Sequence, residues 1–372
     1  MGIRVLVVDD SVVIRRLLVQ ALESDASIEV VGTAANGLLA LAKYEQLRPD
    51  LITMDVEMPE MDGVRAVREL RSRGVRVPII MFSTLTARGA TATLDALAAG
   101  ATDYVTKPAN VGSVQESLAQ VAHELGPKIR ALVPRALGAP RPGARGGKGA
   151  GPAAPRSSAP TALPPLPAAP THPVRAVVVG SSTGGPEALS RVIKGLTKPL
   201  PVPMLVVQHM PPVFTAQLAQ RLDRLGPSTV VEATDGMLLR AGHIYIAPGD
   251  YHLEVSGRPG SATVHLTQAP PVNFCRPSVD VMFRSALEHL GKDLLGVVLT
   301  GMGADGKVAS GEIVRAGGTV ISQDEQSSVV WGMPGAVAAA GATHRILPID
   351  AVAATIMSRV AHADHLSQGR SA

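Results

Sequence analysis

The chain has 372 residues, with 35 Lys and Arg against 31 Asp and Glu, and a formal net charge of +4. Hydrophobic residues make up 46% of it but aromatic residues only 2%, which permits full cores and disfavours a nucleic-acid surface built on aromatic stacking. The single cysteine, Cys275, excludes an intramolecular disulfide framework. With no secretory signal pattern and no apolar run that could span a bilayer, we expect a cytoplasmic protein that is not inserted in a membrane.

Two segments of alternating apolar strands and helical patterns flank a stretch rich in proline, glycine and alanine. We expect a first domain at residues 1–125, a disordered linker at 126–173 and a second domain at 174–365. The alternation predicts an α/β fold class with two doubly wound parallel sheets. The surplus of basic residues in the linker is interpreted as a solvated tether, with nucleic-acid binding as the weaker alternative.

Polar residues follow the predicted strands of the first domain. Asp9 and Asp10 follow the first strand, Asp55 the third, Ser83 ends the fourth, and Lys107 follows the fifth. Side chains at the carboxyl ends of parallel strands meet at one edge of the sheet. Three carboxylates there would repel one another unless a hard cation lay between them, although each residue alone could be a helix cap or a surface charge. The five strands are predicted at residues 4–8, 29–34, 51–54, 78–82 and 103–105.

These residues lie in motifs that resemble the signatures of response-regulator receiver domains, which have a flavodoxin-like fold. The resemblance implies that Asp55 accepts a phosphoryl group from a histidine kinase. It implies that Mg²⁺ is held by Asp10, Asp55 and the backbone carbonyl of Glu57, with Asp9 acting through water. The other implied roles belong to Ser83 and Lys107, which would contact the phosphoryl oxygens, and to Tyr104, which would rotate inward on activation. The motifs cover residues 6–11, 54–63, 82–83 and 105–108.

Three strand ends carry candidate catalytic residues in the second domain. Apolar strands at 177–180, 204–208 and 294–299 lead to Ser182, His209 and Asp305. A nucleophile, a base and an orienting acid at such positions predict a Ser-His-Asp arrangement.

Ser182 lies in a Gly-x-Ser-x-Gly sequence, the pattern that lifts a serine hydroxyl clear of a strand end. The alternative for this loop is a phosphate-binding turn at a helix N-terminus, which is weakened by the absence of a P-loop lysine.

Each of the other two candidates has competitors. His209 precedes Met210 and two prolines and could be an ordinary loop histidine, while Asp305 could simply serve a glycine-rich turn. Asp324 is the strongest rival acid because it also follows a strand-like run. The competing histidines are His243, His252 and His289.

The order Ser…His…Asp differs from that of α/β-hydrolases. It is the order in the catalytic domain of chemotaxis-type protein-glutamate methylesterases, a Rossmann-like domain that the second half resembles closely. One departure is Asn273-Phe274-Cys275 before Arg276, where the family often has a histidine just before the arginine. The matching stretches are residues 180–186, 207–211, 246–252, 276–280, 299–306 and 332–334.

The resemblance implies an enzyme, a carboxylic ester hydrolase of two-component signalling in chemotaxis. It would hydrolyse glutamate γ-methyl esters on chemoreceptors, releasing methanol, and deamidate receptor glutamines. Met302 would supply an oxyanion-hole N–H, Thr183 would contact His209, and this domain would need no cofactor. The implied partners are a histidine kinase of a chemosensory array and methylated chemoreceptors. The alternative is a non-catalytic two-component signalling module that acts through protein contacts.

Overall fold

The structure is a computed structural model that describes residues 2–108, 114–134 and 163–368. Most of the predicted linker, residues 135–162, lies outside the described residues. The predicted disorder of the linker therefore stays a prediction. Within the described ranges, no helix is both long and apolar enough to cross a bilayer.

The first domain is a five-stranded parallel sheet with the strand order β2-β1-β3-β4-β5. This is the flavodoxin-like order, so the predicted fold class is confirmed for this half. The strands are β1 (Ile3–Val8), β2 (Ile28–Ala34), β3 (Leu51–Asp55), β4 (Ile79–Ser83) and β5 (Asp103–Thr106). The helices are α1 (Val12–Glu23), α2 (Gly37–Leu47), α3 (Gly63–Ser72), α4 (Ala87–Ala98) and α5 (Val114–Leu132).

Helix α5 continues to Leu132, so the predicted domain boundary at residue 125 is too early. Val121, Leu125 and Ile129 repeat every four residues and are buried in the core beside β1 and β4. Their burial holds the helix together through Pro127, which would otherwise interrupt it.

The second domain is a seven-stranded parallel sheet with the order β14-β13-β12-β6-β7-β9-β8, which confirms the predicted α/β class for this half. An antiparallel hairpin, β10 (His252–Ser256) and β11 (Thr263–Thr267), lies beside it. The sheet strands are β6 (Ala176–Ser181), β7 (Met204–Gln208), β8 (Thr229–Glu232), β9 (His243–Ile246), β12 (Leu294–Val298), β13 (Thr319–Gln323) and β14 (Arg345–Leu347). The helices are α6 (Gly185–Lys194), α7 (Phe214–Asp223), α8 (Val279–Leu290), α9 (Lys307–Arg315), α10 (Met333–Ala339) and α11 (Ile349–Gln368).

The two domains pack against each other, with α4 and β5 of the first facing α6 and α7 of the second. The rings of Tyr104 and Phe214 stack across the interface with centroids 4.9 Å apart and planes 8° apart. Arg221 lies 2.7 Å from Asp95, at the edge of the same surface. A single buried cluster contains side chains from both domains, so the receiver-like half is docked on the second half by apolar contacts.

Candidate active site and phosphorylation site

The turn after β6 presents Ser182 on a tightly packed loop. Gly184 has φ +76°, a left-handed conformation that glycine adopts without strain, and α6 begins at the next residue. A side chain on Gly185 would meet the Oε1 atom of Gln208 at 1.9 Å, so only glycine fits there. The loop therefore holds Ser182 half-buried at the carboxyl end of its strand.

Neighbouring strands bring the three predicted catalytic residues to one edge of the sheet. In the strand order, β6 lies between β12 and β7, so Ser182, His209 and Asp305 follow adjacent strands. The Nε2 atom of His209 lies 2.8 Å from the Oδ2 atom of Asp305. No hydrogen bond between Ser182 and His209 is present among the described residues. The structure thus brings the predicted base and acid into direct contact and places the predicted nucleophile on the adjoining loop.

Asp305 is buried at the N-terminus of α8, where several donors surround its carboxylate. It accepts hydrogen bonds from Asn273 Nδ2 at 2.8 Å, Ser278 Oγ at 2.9 Å and the backbone N–H of Val279 at 2.7 Å. Burial alone would raise the pKa of Asp305, but the hydrogen bond and charge of His209, together with the donors of Val279 and Asn273, lower it to about 2. The carboxylate is therefore a fixed anion that also caps the helix.

His209 is held between Asp305 and the thiol of Cys275, whose Sγ atom lies 3.6 Å from Nδ1. Burial by itself lowers the pKa of His209, but the contacts with Asp305 and Cys275 outweigh it and raise the pKa to about 9. Because Nε2 faces the carboxylate, Nδ1, which the Cys275 thiol contacts here, is the nitrogen that can act on a serine hydroxyl when substrate is bound.

The two supporting residues have different surroundings. Thr183 was predicted to contact His209, but its hydroxyl instead donates to Asp103 Oδ2 at 3.0 Å, because β5 of the first domain lies against this loop. The backbone N–H of Met302 has no acceptor among the described residues. A side chain on the preceding Gly301 would lie 2.9 Å from Ser182 Cβ, so the Met302 segment adjoins the nucleophile loop.

The rival residues lie in other arrangements. Asp324 accepts hydrogen bonds from the backbone N–H and hydroxyl of Ser327, which makes it a turn-stabilising residue. His252 accepts at Nδ1 from the backbone N–H of Ser278 and is buried. The imidazoles of His243 and His289 form hydrogen bonds with backbone carbonyls, of Ala241 and Gly257, and the His243 ring also stacks on Tyr245.

Sequence reasoning missed the residues that position this site. Gln208 accepts a hydrogen bond from Ser181 Oγ at 2.7 Å and donates to the carbonyls of Ser182 and His209, both at 3.0 Å. Gln208 thereby joins the loops that carry Ser182 and His209. The position of Gln208 directly before His209 was the only sequence feature that could have indicated this role. The roles of Asn273 and Cys275 depend on a turn that lies about 30 residues before Asp305 and has no periodic pattern.

The second predicted site lies at the carboxyl ends of β1, β3 and β5. Lys107 Nζ is 2.9 Å from Asp9 Oδ2 and 2.9 Å from Asp55 Oδ2. Ser83 is buried beside them and donates to the carbonyl of Gly89 at 3.2 Å. A cleft of about 210 Å³ opens over this group. It is lined by Asp10, Asp55, Val56, Glu57, Ser83, Thr84, Gly89 and Lys107.

The charges in this cleft fit a hard divalent cation. Oxygen atoms of Asp9, Asp10 and Asp55 lie within 4.8 Å of one another. Burial, followed by the charge of Asp9, raises the pKa of Asp55 to about 6 although Lys107 opposes the shift. Three carboxylates with one ammonium leave an excess of negative charge, and oxygen is the donor that Mg²⁺ prefers.

Comparison with known proteins identifies the family of each domain. Residues 177–356 match the family model of the CheB methylesterase, and residues 5–119 match that of the response regulator receiver domain. The chain is 57% identical over 360 residues to the protein-glutamate methylesterase/protein-glutamine glutaminase of Nocardioides sp., with 97% of this chain and 96% of the relative covered. A protein of the same name from Trichodesmium erythraeum is 43% identical over 357 residues, with 96% and 99% covered.

Among solved structures, the catalytic domain of the CheB methylesterase of Thermotoga maritima is 41% identical, with a TM-score of 0.49. The match covers 50% of this chain and 98% of that one. The identities to full-length relatives settle the assignment. The chain belongs to the protein-glutamate methylesterase/protein-glutamine glutaminase family, with a receiver domain followed by a CheB methylesterase domain.

Proposed function

We propose that this enzyme hydrolyses glutamate γ-methyl esters on chemoreceptors by a Ser-His-Asp mechanism and that phosphorylation of its receiver domain regulates the reaction. The observation that carries the mechanism is the 2.8 Å bond between His209 and Asp305 beside the Ser182 loop. The same site would deamidate receptor glutamines, because a glutamine amide has the same carbonyl and nearly the same size as the ester. We place the protein in the cytoplasm, as its single cysteine suggests.

The reaction begins when the Ser182 hydroxyl approaches the Nδ1 atom of His209. Contacts of this kind are often long without substrate and tighten when it binds. His209 takes the proton as Ser182 Oγ attacks the ester carbonyl, and it then passes the proton to the departing methanol. Water attacks the acyl-enzyme next and loses its proton to His209, which returns that proton to Ser182 Oγ as the bond to the acyl carbon breaks and the glutamate side chain leaves. Asp305, held anionic by its donors, stabilises the imidazolium formed in each step.

The free N–H of Met302 is suited to receive the negative charge that develops on the carbonyl oxygen. It belongs to the segment that adjoins Ser182 and has no acceptor among the described residues. One such donor typically contributes about 3 kcal/mol to lowering the barrier.

A direct test is incubation of the phosphorylated protein with receptor membranes whose glutamates carry labelled methyl groups. Release of volatile labelled methanol supports the esterase. A protein that releases none, although a fluorophosphonate probe labels its Ser182, would be a serine hydrolase with another substrate. The non-catalytic signalling module predicts neither result.

In the receiver domain, we propose that Asp55 accepts the phosphoryl group. Asp10, Asp55, the Glu57 carbonyl and, through water, Asp9 would hold Mg²⁺, which neutralises charge on the transferring group. Lys107 Nζ already lies 2.9 Å from Asp55 Oδ2, and Lys107 and Ser83, which line the same cleft, would both contact the phosphoryl oxygens. The phosphoryl donor would be the histidine kinase of a chemosensory array.

The docked receiver domain offers a route from phosphorylation to the esterase. Asp103 of β5 accepts a hydrogen bond from Thr183, next to the nucleophile. Tyr104 of β5 stacks on Phe214, at the start of α7. We propose that this contact holds the unphosphorylated enzyme at low activity and that phosphorylation weakens it. The gain on activation is then limited by how fully the docked state is populated beforehand.

Charge reversal at the interface should raise basal activity. Arg221→Glu would face Asp95 with a like charge in place of the present 2.7 Å ion pair. We expect methanol release by the unphosphorylated protein to rise roughly 3- to 10-fold, with little change at full phosphorylation. The double variant Arg221→Glu/Asp95→Arg restores opposite charges and should return to the wild-type rate. An unchanged basal rate in the single variant would exclude this contact from the inhibition.

The rate should depend on pH through His209. Only the neutral imidazole can take the proton of Ser182, and the pKa of His209 is raised to about 9, so kcat/KM should rise from pH 7 towards pH 9. Cys275→Ala removes one of the groups that raise this pKa and should move the inflection to lower pH. His265→Gln, at an exposed histidine paired with Asp235, is the control and should leave the profile unchanged. A profile that is flat over this interval would contradict the assigned role of His209.

A further inference from the structure

One aromatic side chain beside the catalytic pair is completely exposed. Phe274 has a relative exposure of 102%, whereas the other three phenylalanines, Phe82, Phe214 and Phe283, are 1% exposed or less. This exposure is found with the receiver domain docked, so that domain does not cover the ring. A fully exposed phenyl ring gains none of the free energy that burial of its surface would provide. Its exposure therefore needs an explanation.

The backbone at Phe274 is also unfavourable for its residue type. Val272 and Cys275 exchange backbone hydrogen bonds of 3.1 and 2.9 Å, which closes a two-residue hairpin turn over Asn273 and Phe274. Both turn residues have positive φ, 53° and 62°. Turns of this kind favour asparagine followed by glycine, so phenylalanine occupies a position where glycine would be free of strain. Strain of this sort is often retained where a side chain serves a function.

The turn is fixed directly onto the catalytic residues. Asn273 Nδ2 donates to Asp305 Oδ1 at 2.8 Å and to Asp280 Oδ2 at 2.9 Å. Cys275 follows Phe274 in the chain, and its Sγ atom lies 3.6 Å from His209 Nδ1. Residues on both sides of Phe274 therefore contact the acid and the base, and the ring projects from a rigid support at the edge of the active site.

We propose that Phe274 binds the protein substrate, by packing on an apolar residue of the helical receptor segment next to the methylated glutamate. The proposal rests on the proposed function. A helix that places its ester at Ser182 presents further side chains about one turn away on the same face. An apolar side chain there would cover the phenyl ring, while a small ester would make no such contact. Phe274 thus determines specificity for the protein and takes no part in the chemistry.

The test compares Phe274→Gly with Phe274→Tyr in the full-length, phosphorylated protein. Glycine suits the positive φ, so the turn should keep its shape while the ring is lost, and tyrosine keeps the ring. Leu238→Ala is the control for loss of an exposed apolar side chain elsewhere, on the segment that bridges to Thr263 of β11. Two rates are measured: methanol release from methylated receptor membranes, resolved into kcat and KM, and labelling of Ser182 by a small fluorophosphonate.

For Phe274→Gly we expect KM for receptor membranes to rise roughly 10- to 100-fold, the range that burial of a phenyl ring corresponds to. Labelling of Ser182 should stay within about twofold, because the chemistry does not use the ring. Phe274→Tyr and Leu238→Ala should resemble the wild type. An unchanged KM in Phe274→Gly overturns the proposal, and so does a parallel fall in labelling, which would mean that the residue acts through Asp305 or His209. If the wild type itself releases no methanol, the proposed function fails first, and this inference fails with it.

Discussion

Ser182→Ala should lower the turnover of methylated receptors by about 10⁴- to 10⁶-fold while the protein stays folded. The substitution removes only an oxygen atom from a half-buried side chain that makes no hydrogen bond among the described residues. The residual rate would come from substrate binding and from the oxyanion donor at Met302. The measurement is methanol release by the phosphorylated protein, together with thermal unfolding to establish that the fold is retained.

His209→Ala is expected to be nearly as severe, and the double variant little worse than either single one. Nucleophile and base act as a unit, so removal of either already abolishes the covalent route. Ser261→Ala is a suitable control, because Ser261 is an exposed serine in the turn between β10 and β11, and this variant should release methanol at the wild-type rate. Methanol release near the wild-type rate in Ser182→Ala would exclude the proposed mechanism.

The strand ends explain why the sequence predicts that the three candidate catalytic residues lie together. Short apolar runs predict buried parallel strands, and polar residues directly after them must meet at one edge of the sheet. Ser182, His209 and Asp305 all follow such runs, and the structure brings the last two into contact. The same reasoning located Asp55 and Lys107, which lie 2.9 Å apart.

Contacts that depend on irregular segments or on the partner domain could not be predicted in this way. Asn273 reaches Asp305 from a hairpin turn whose conformation has no periodic signal. Thr183 pairs with Asp103, 80 residues earlier in the chain and in the other domain, which no local pattern could indicate. Glycine and proline both disfavour the interior of a helix, so Gly126-Pro127 predicts that the helix ends there. The burial of Ile129 nevertheless keeps the helix intact.

Asp55→Asn should abolish Mg²⁺-dependent phosphoryl labelling and, with it, activation of the esterase. Asparagine cannot accept the phosphoryl group, yet it fills the same space. The fold should be retained: the pKa of Asp55 is raised to about 6, so at neutral pH its charged form is disfavoured by burial and by the charge of Asp9. Because the pKa of Asp55 is raised in the folded protein, ionisation of its carboxyl group lowers the free energy of unfolding as pH rises through that pKa. Asparagine stays neutral, so the variant avoids this loss.

The readouts for Asp55→Asn separate the receiver from the active site. Labelling by acetyl phosphate or by the phosphorylated kinase should disappear, whereas the fluorophosphonate should still label Ser182 at the rate of the unphosphorylated wild type. Glu57→Gln is the matched control, because the exposed Glu57 carboxylate pairs only with Arg88 among the described residues and the carbonyl implied in Mg²⁺ binding is kept. This control should be phosphorylated and activated normally. If the Asp55 variant is still labelled and fully activated, the phosphoryl acceptor lies elsewhere. Phosphorylation of the cleft beside Lys107 would then not be the event that weakens the docked interface at Asp103.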